Sequence, residues 1–129
     1  MCANIKDYTP DEAFDVVVAN FFLNVFSRPV MEQVLARLAS LVRAEGKLLI
    51  ADFAPAQGNI LQRAQHHLYY VTTLVPHWLT GLCALHPIYV YSDSYPRLGL
   101  KLERTQRFRL PFPGFSPWIF QSTVARKVG

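Results

Sequence analysis

The sequence predicts an α/β fold, and three features of the chain indicate it. Two apolar runs, Phe14 to Phe21 and Gly46 to Phe53, are continuous instead of alternating, as expected for strands covered on both faces. The segment between them has the spacing of an amphipathic helix, so the three form a parallel βαβ unit. Ligands of open α/β sheets bind at the carboxyl ends of parallel strands, which makes Ala19 to Asn24 and Asp52 to Pro55 the candidate site.

Composition and charge restrict the size of the fold and its partners. The chain has 129 residues, of which 51% are hydrophobic and 17% charged, which predicts one domain over residues 1 to 129. The formal net charge is +4, and residues 93 to 129 hold seven Lys or Arg against two Asp or Glu. These basic residues lie on a strand-like stretch with few aromatic neighbours, so we expect no nucleic-acid partner.

The cysteines and histidines lack the spacing of known disulfide or metal motifs. Cys2 and Cys83 are far apart and follow no recognisable signal peptide, which is typical of reduced thiols in a cytoplasmic protein. Adjacent histidines on a helix point about 100° apart, so His66 and His67 do not readily hold one ion together. We therefore expect no metal.

The βαβ helix has clear start and stop signals. Ser27 is a suitable N-cap, and Pro29 falls in the first turn, where its missing N–H costs nothing. Apolar positions from Val30 onward form a wide stripe that suits packing on a sheet. The helix is predicted to run to about Arg43 and to stop at the turn Ala44 to Gly46.

A second helix is predicted from Ile60 to about Leu74, ending before Pro76. No Asp, Glu, Lys or Arg occurs from Ala64 to Ser92. The prolines, histidines and hydroxyls in this stretch argue against a membrane span, which needs about 20 predominantly apolar residues. Contact with a membrane surface, which the sequence allows without favouring, and an apolar lid over a substrate both remain open. Residues 60 to 98 are thus interpreted as a helical insert.

The end of the chain predicts an antiparallel pair of strands. A short helix over Ser92 to Leu98 is closed by Gly99 in the left-handed conformation. An alternating strand follows as far as Leu110, and a loop rich in Pro, Phe and Gly leads to the last strand, Trp118 to Lys127. We expect this hairpin at the edge of the sheet.

This order of elements resembles the carboxy-terminal half of class I S-adenosylmethionine-dependent methyltransferases. The similarity is greatest to the small-molecule group typified by ubiquinone and menaquinone biosynthesis enzymes, and Phe14 to Val18 and Glu45 to Ile50 carry most of it. The resemblance implies a partial Rossmann-like methyltransferase sheet, strands four to seven with the last antiparallel, with flanking helices. It also implies S-adenosylmethionine as cofactor and a small acceptor, which the charge-free insert suggests is apolar.

The sequence departs from that family in one large respect. The family's Gly-rich turn and the acidic residue after its second strand, which hold much of the cofactor, have no counterpart, and no G-x-G motif occurs in the chain. The chain is thus interpreted as a fragment, a degenerate relative, or a protein that works with another polypeptide. We expect either a homo-oligomer or a missing upstream half, and the isolated chain is expected to be inactive if that half is required.

Residue by residue, the resemblance places the cofactor at two points of the chain. Asn4 falls where the family has an acidic group that accepts from the adenine amine, and Ile5 lies beside the ring. Ala19, Asn20 and Phe21 end the fourth strand of the family's sheet, where they flank the methionine moiety. The alternatives are that Asn4 forms a turn and that Asn20 caps the following loop.

The resemblance also implies acceptor and catalytic residues. Asn24, Tyr69 and Trp78 are the substrate candidates, although Trp78 could equally belong to a lid or core. The catalytic residue is unknown, and the candidates are Asp52 at the end of a strand together with His66 and Tyr70 on the insert helix. Strand-end acids also cap loops, and aromatic stripes on helices more often pack than react.

Two other classes of function compete with methyl transfer. The first is a non-catalytic binding or interaction module that keeps the half-fold without a cofactor site, which the missing Gly-rich turn favours. The second is a protein that contacts a membrane surface or a partner through the apolar insert and the basic hairpin. Both alternatives can be distinguished from an enzyme by cofactor and vesicle binding.

Overall fold

The computed structural model describes residues 4 to 129, so the expectation for Cys2 lies outside the described residues. The regular elements are four strands and two α-helices: β1 Phe14–Asn20, α1 Arg28–Leu41, β2 Val42–Phe53, α2 Ile60–Leu79, β3 Leu100–Arg109 and β4 Trp118–Lys127. Short 3-10 turns occur at Leu23–Val25, Tyr91–Ser94 and Pro96–Leu98.

The four strands form one mixed sheet in the order β1-β2-β4-β3. β1 pairs in parallel with β2, whereas β4 runs antiparallel to both of its neighbours, β2 and β3. The predicted βαβ unit and antiparallel hairpin are confirmed, and with them the partial Rossmann-like α/β sheet. Only β3 of the hairpin lies at the edge, because β4 is inserted between β2 and β3.

The predicted start of α1 is confirmed, whereas its end comes two residues early. Ser27 has the extended backbone of an N-cap and Pro29 lies in the first turn. The helix ends at Leu41 because Val42 already pairs with Phe14 in the sheet. The turn predicted at Ala44 to Gly46 is wrong, because these residues lie inside β2, where the pairing with β1 shifts register. A Cβ at Gly46 would lie 2.9 Å from the Asp15 carbonyl oxygen, so only glycine fits there.

The main core lies between α1 and one face of the sheet. Its helix side is formed by residues such as Val34 and Leu35, which pack against Leu48 and Ile50 of β2. A second, smaller cluster centred on Phe53, Tyr70 and Ile119 attaches α2 to the sheet. The two clusters together fix the carboxyl end of β2 between both helices.

The expectation that β1 is covered on both faces is wrong within the described part of the chain. Val18 is 62% exposed, and Val16 beside it on the same face is also exposed. The opposite face carries Ala19, which packs in the main core under α1. β1 is an edge strand here, and no described helix covers its outward face, so its continuous apolar run does not correspond to burial.

The predicted end of α2 is also wrong, since the helix continues through Pro76 to Leu79. A proline inside a helix has no backbone N–H to donate, but the helix here continues on both sides of Pro76. The amide of Thr80 donates to the Pro76 carbonyl at 3.2 Å, and Gly81, in the left-handed region at φ 73°, ends the helix. Glycine is favoured at that position because it adopts positive φ without steric cost.

The last predictions are confirmed in part. Two 3-10 turns replace the short helix predicted before Gly99, which has the predicted left-handed conformation at φ 65°. In β3 the register shifts between Leu102 and Arg104, so Glu103 is an extra residue in the strand. This bulge interrupts the alternation along β3.

The N-terminus of α2 provides a direct test of local stabilisation. The Asn59 side chain accepts from the Gln62 amide at 2.9 Å, and Gln62 Oε1 accepts from the Asn59 amide at 3.1 Å. We expect Asn59→Ala to lower the free energy of unfolding by about 1 kcal/mol, because the Gln62 amide at the helix start loses its acceptor. Urea denaturation measures this change.

Ser27→Ala at the start of α1 is the matched control. The Ser27 side chain makes no capping hydrogen bond, so this variant should change stability by less than about 0.5 kcal/mol. Equal losses in Asn59→Ala and Ser27→Ala would contradict the assignment of the capping box.

Candidate functional site

The candidate site lies at the carboxyl ends of β1 and β2, as the sequence predicts. Directly after β1, Phe21 has a positive φ of 47°, a conformation that is rare outside glycine and costs about 1–3 kcal/mol. The Phe21 amide donates to the Ala51 carbonyl at 2.8 Å. The ring meets those of Phe53 and Phe120 edge-on, at centroid distances of 6.0 and 5.4 Å. These contacts hold the strained residue at the end of the strand.

A cavity of about 270 Å³, here called the strand-end cavity, opens beside Phe21. It is lined by the turn after β1, the end of β2 and the second half of α2: Phe21, Asn24, Val25, Phe53, Thr73, Leu74, His77, Leu82 and Cys83. Most of this lining is apolar, and three polar side chains, Asn24, Thr73 and His77, interrupt it. The cavity is suited to a largely apolar molecule with few hydrogen-bonding groups.

Asn24 supplies an unused acceptor at the strand-end cavity. Its Oδ1 atom is buried and has no hydrogen-bond partner among residues 4 to 129. A buried polar atom without a partner costs about 1–3 kcal/mol, which a donor from a bound molecule would offset. Asn24, predicted as a substrate residue, therefore presents this hydrogen-bond acceptor to the strand-end cavity.

Asp52 ends β2 but points into the protein, where it is 2% exposed. The Tyr91 hydroxyl donates to Asp52 Oδ2 at 2.6 Å, and the Phe53 amide donates to Oδ1 at 2.8 Å. Burial raises the pKa of the Asp52 carboxyl, and these donors together with His86 oppose that rise. Burial and the nearby carboxyl likewise raise the pKa of Tyr91. Asp52 does not line the strand-end cavity.

His86 connects the segment after α2 to the turn after β1. Its Nε2 lies 2.5 Å from the Asn24 carbonyl oxygen, and its Nδ1 lies 2.7 Å from that of Pro87. Carbonyl oxygens only accept, so both ring nitrogens donate when the imidazole is protonated. The ring also stacks on Tyr89 at 4.2 Å, which fixes its orientation. Sequence reasoning missed this residue because no local pattern links positions so far apart.

A second cavity of about 480 Å³, here called the helix cavity, follows the first half of α2. It is lined by Pro55, Ala56, His66, His67, Tyr70, Val71, Leu74, Leu85, His86, Pro87 and Ile88. Leu74 lines both cavities, so they adjoin at that side chain. The predicted catalytic candidates His66 and Tyr70 are thus brought together, but beside the helix cavity instead of the strand-end cavity.

The chemistry of His66 and Tyr70 is restricted by their hydrogen bonds. His66 is buried with Nε2 2.8 Å from the Ala54 carbonyl oxygen, and burial lowers its pKa, which favours the neutral ring with Nε2 donating. The Tyr70 hydroxyl donates to the His86 carbonyl at 3.0 Å, and burial raises its pKa to about 12. Both groups are therefore neutral near neutral pH.

The remaining predicted site residues have structural contacts of their own. Tyr69 packs on the rings of Phe115 and Phe120, and Trp78 is exposed; neither lines the strand-end cavity.

Asn4 forms an exposed turn in which its Oδ1 accepts from the Lys6 amide at 3.1 Å. Ile5 packs on the main core, and Ala19 is buried within β1 beside the unburied Asn20.

Thr73, His77 and Cys83 complete the strand-end cavity and were not predicted. The first two are one helical turn apart, a spacing that places them on one face of α2, and this was the available signal. Burial raises the pKa of the Cys83 thiol, which keeps it protonated. Among residues 4 to 129, no group of three or more His, Cys, Asp or Glu side chains is placed to hold a metal ion.

Comparison with known proteins shows the fold. No protein-family model matches the chain, and no curated protein matches its sequence. Among solved structures, the chain is similar to magnesium protoporphyrin IX methyltransferase from Synechocystis with bound S-adenosylhomocysteine, at 17% identity and a TM-score of 0.64. That comparison covers 98% of this chain and 50% of the other.

Two further solved structures have the same core. An O-methyltransferase family 2 protein from Planctomyces limnophilus in complex with apigenin is 17% identical, with a TM-score of 0.68, over 98% of this chain and 34% of that one. A pericyclic reaction enzyme is 15% identical, with a TM-score of 0.66, over 98% and 30%. The chain therefore has the α/β fold of class I S-adenosylmethionine-dependent methyltransferases, and it spans only part of the length of these structures.

Proposed function

We propose that this chain contributes to S-adenosylmethionine-dependent methyl transfer to a small apolar acceptor. The observation that carries the proposal is the strand-end cavity, which opens at the carboxyl ends of β1 and β2 in a sheet of the methyltransferase fold. That end of an open α/β sheet is where ligands bind. The fold also occurs in a pericyclic reaction enzyme, so the site and not the fold has to support the chemistry.

The residues at the end of β1 fit the methionine end of the cofactor. Its sulfonium is a cation, and the Phe21 ring and the unpartnered Asn24 Oδ1 both attract positive charge. Asn20 and the backbone of Ala19 lie next to them at the open end of the strand. When bound, S-adenosylmethionine supplies an activated methyl group, which is why no covalent bond to the protein is needed.

The acceptor would lie in the strand-end cavity. Side chains such as Val25 and Leu82 give it an apolar lining, and Asn24 Oδ1 can accept from an acceptor hydroxyl or amine. Such a hydrogen bond orients the nucleophile, and alignment is the main requirement of methyl transfer. We propose that Asp52 is a positioning residue, which holds the end of β2 in place without touching the acceptor, since Tyr91 and the backbone enclose it.

Several finer expectations extend this proposal. They are membership of the ubiquinone and menaquinone group, a helical insert over residues 60 to 98, and a cytoplasmic location. The catalytic candidates His66 and Tyr70 would act only on an acceptor that extends from the strand-end cavity past Leu74 into the helix cavity.

Calorimetric titration with S-adenosylmethionine, whose sulfonium carries the positive charge, tests the cofactor part of the proposal. We expect measurable binding that Phe21→Ala weakens about tenfold, because an aromatic face next to the cation-binding site is lost. Phe112→Ala is the control, since Phe112 is an exposed phenylalanine of the loop after β3. Absence of heat with the unmodified chain, or equal loss in both variants, would contradict the proposal.

The non-catalytic binding module remains the second candidate, because the sequence has no G-x-G motif. It differs from an enzyme in what Asn24→Leu does. If the chain is an enzyme, this variant should lower methyl transfer to apolar phenols while leaving S-adenosylhomocysteine affinity within about threefold. Binding of the cofactor with no transfer to any acceptor would favour the module.

The exposed edge strand predicts self-association, which we propose as the partner interaction of β1. Unpaired backbone groups and the exposed Val16 and Val18 form a template for another strand. We expect a mass in solution above 14.7 kDa, and a lower mass in Val18→Lys, because a charge on an edge strand disfavours pairing. Sedimentation equilibrium measures both, and a monomeric unmodified chain would refute the proposal.

A further inference from the structure

The outward face of α2 is apolar where surface helices are usually polar. Leu61 is 64% exposed and Leu68 is 66% exposed. Leu68 lies two turns after Leu61, and Leu79 lies three turns after Leu68, so the three leucines share one face of α2. No Asp, Glu, Lys or Arg occurs on the helix after Arg63. Large exposed apolar patches on a folded protein usually mark an interaction site.

The loop between β3 and β4 extends this apolar face. Gln65 Nε2 donates to the Gly114 carbonyl at 3.0 Å, and the Tyr69 ring packs on Phe115 at 5.9 Å, so the loop lies along α2. Gln65 is one helical turn from both Leu61 and Leu68. The loop also exposes Phe112. Leu61, Leu68 and Phe112 are here called the outer patch.

The charge around the outer patch is of one sign. Arg107 and Arg109 precede the loop, and the Arg109 guanidinium lies 4.0 Å from the centre of the Trp118 ring. No Asp or Glu occurs from Arg104 to the end of the chain, or within α2. An apolar patch beside arginines, with no acidic residue on α2 or from Arg104 onward, is complementary to a surface with an apolar interior and negative head groups.

We propose that the outer patch binds the surface of a membrane that contains anionic phospholipids. α2 is about 30 Å long and would lie in the plane of the interface, with its outward leucines and Phe112 inserted among the lipids and the arginines near the head groups. No helix within residues 4 to 129 is long and apolar enough to cross a membrane, so the contact is peripheral. This inference does not depend on methyl transfer.

Vesicle flotation tests the inference with the unmodified chain. We expect binding to vesicles of phosphatidylcholine with phosphatidylserine, weaker binding to phosphatidylcholine alone, and release as salt is raised. Leu61→Gln combined with Leu68→Gln should lower the partition coefficient about tenfold or more, because two exposed apolar anchors are lost without disturbing the core. Circular dichroism checks that this variant keeps the helix.

Val128→Gln is the matched control, because Val128 is an exposed apolar residue beyond the end of β4 and outside the outer patch. It should bind vesicles like the unmodified chain. The inference is overturned if the unmodified chain binds neither kind of vesicle, or if Val128→Gln loses as much binding as the leucine variant. It is also overturned if vesicle binding is absent and the leucine variant instead lowers the mass in solution, since the outer patch would then bind a second copy.

Discussion

Leu48→Ala is expected to lower the free energy of unfolding by about 3 kcal/mol. Leu48 is 0% exposed, and it packs with Val34 and Leu35 of α1 in the main core. Truncation removes contacts from both the helix and the sheet, and the cavity left behind cannot close because the strand is held by neighbours on both sides. Urea denaturation at neutral pH measures the loss.

Leu102→Ala is the control for that variant. Leu102 is also a leucine on a strand of the same sheet, but it lies on the edge strand β3 and is exposed. We expect a change of less than about 0.5 kcal/mol. Similar losses in the two variants would contradict the placement of Leu48 inside the main core and of Leu102 outside it.

The second large effect is a pH dependence of stability that Asp52 causes. Burial raises the pKa of Asp52 above its ordinary value of 3.8, so the folded state holds a proton that the unfolded state releases. The stabilisation is fully present below pH 3.8 and is lost as the pH rises through the raised value. Relative to Asp52→Asn, the unmodified chain should therefore lose stability over this window as the pH rises.

Denaturation of both proteins from acid to neutral pH measures this difference. Asp93→Asn, which replaces an exposed residue and leaves Asp52 in place, is the control and should keep the pH dependence of the unmodified chain. Tyr91→Phe removes the donor to Asp52, so we expect a loss of about 1.5–3 kcal/mol at neutral pH and a window moved to higher pH. A difference between the unmodified chain and Asp52→Asn that stays constant with pH would contradict the buried carboxylate.

Periodicity predicted the elements better than it predicted their surroundings. The apolar runs predicted β1 and β2, and the amphipathic helix between them predicted their parallel pairing. The exposure of Val18 could not be predicted, because it depends on which strand lies at the edge of the sheet. The continuation of α2 past Pro76 depends on hydrogen bonds around Thr80 and Gly81 that are set by the fold.

The sequence predicted which strand ends form the candidate site, but not which way each side chain there points. Phe21 and Asn24, both predicted at the end of β1, line one cavity. The inward direction of Asp52 is set by Tyr91, which lies 39 residues away in sequence. The helical spacing of His66 and Tyr70 placed them together, but which cavity they face depends on how α2 packs on the second cluster.

The most direct test of the central claim is to map S-adenosylhomocysteine binding by amide chemical-shift changes in the isotope-labelled chain. We expect the largest changes on Ala19, Asn20, Phe21 and Asn24, at the carboxyl end of β1. No change at saturating ligand, or changes confined to the opposite end of the sheet around Gly46, would contradict a cofactor site at the strand ends.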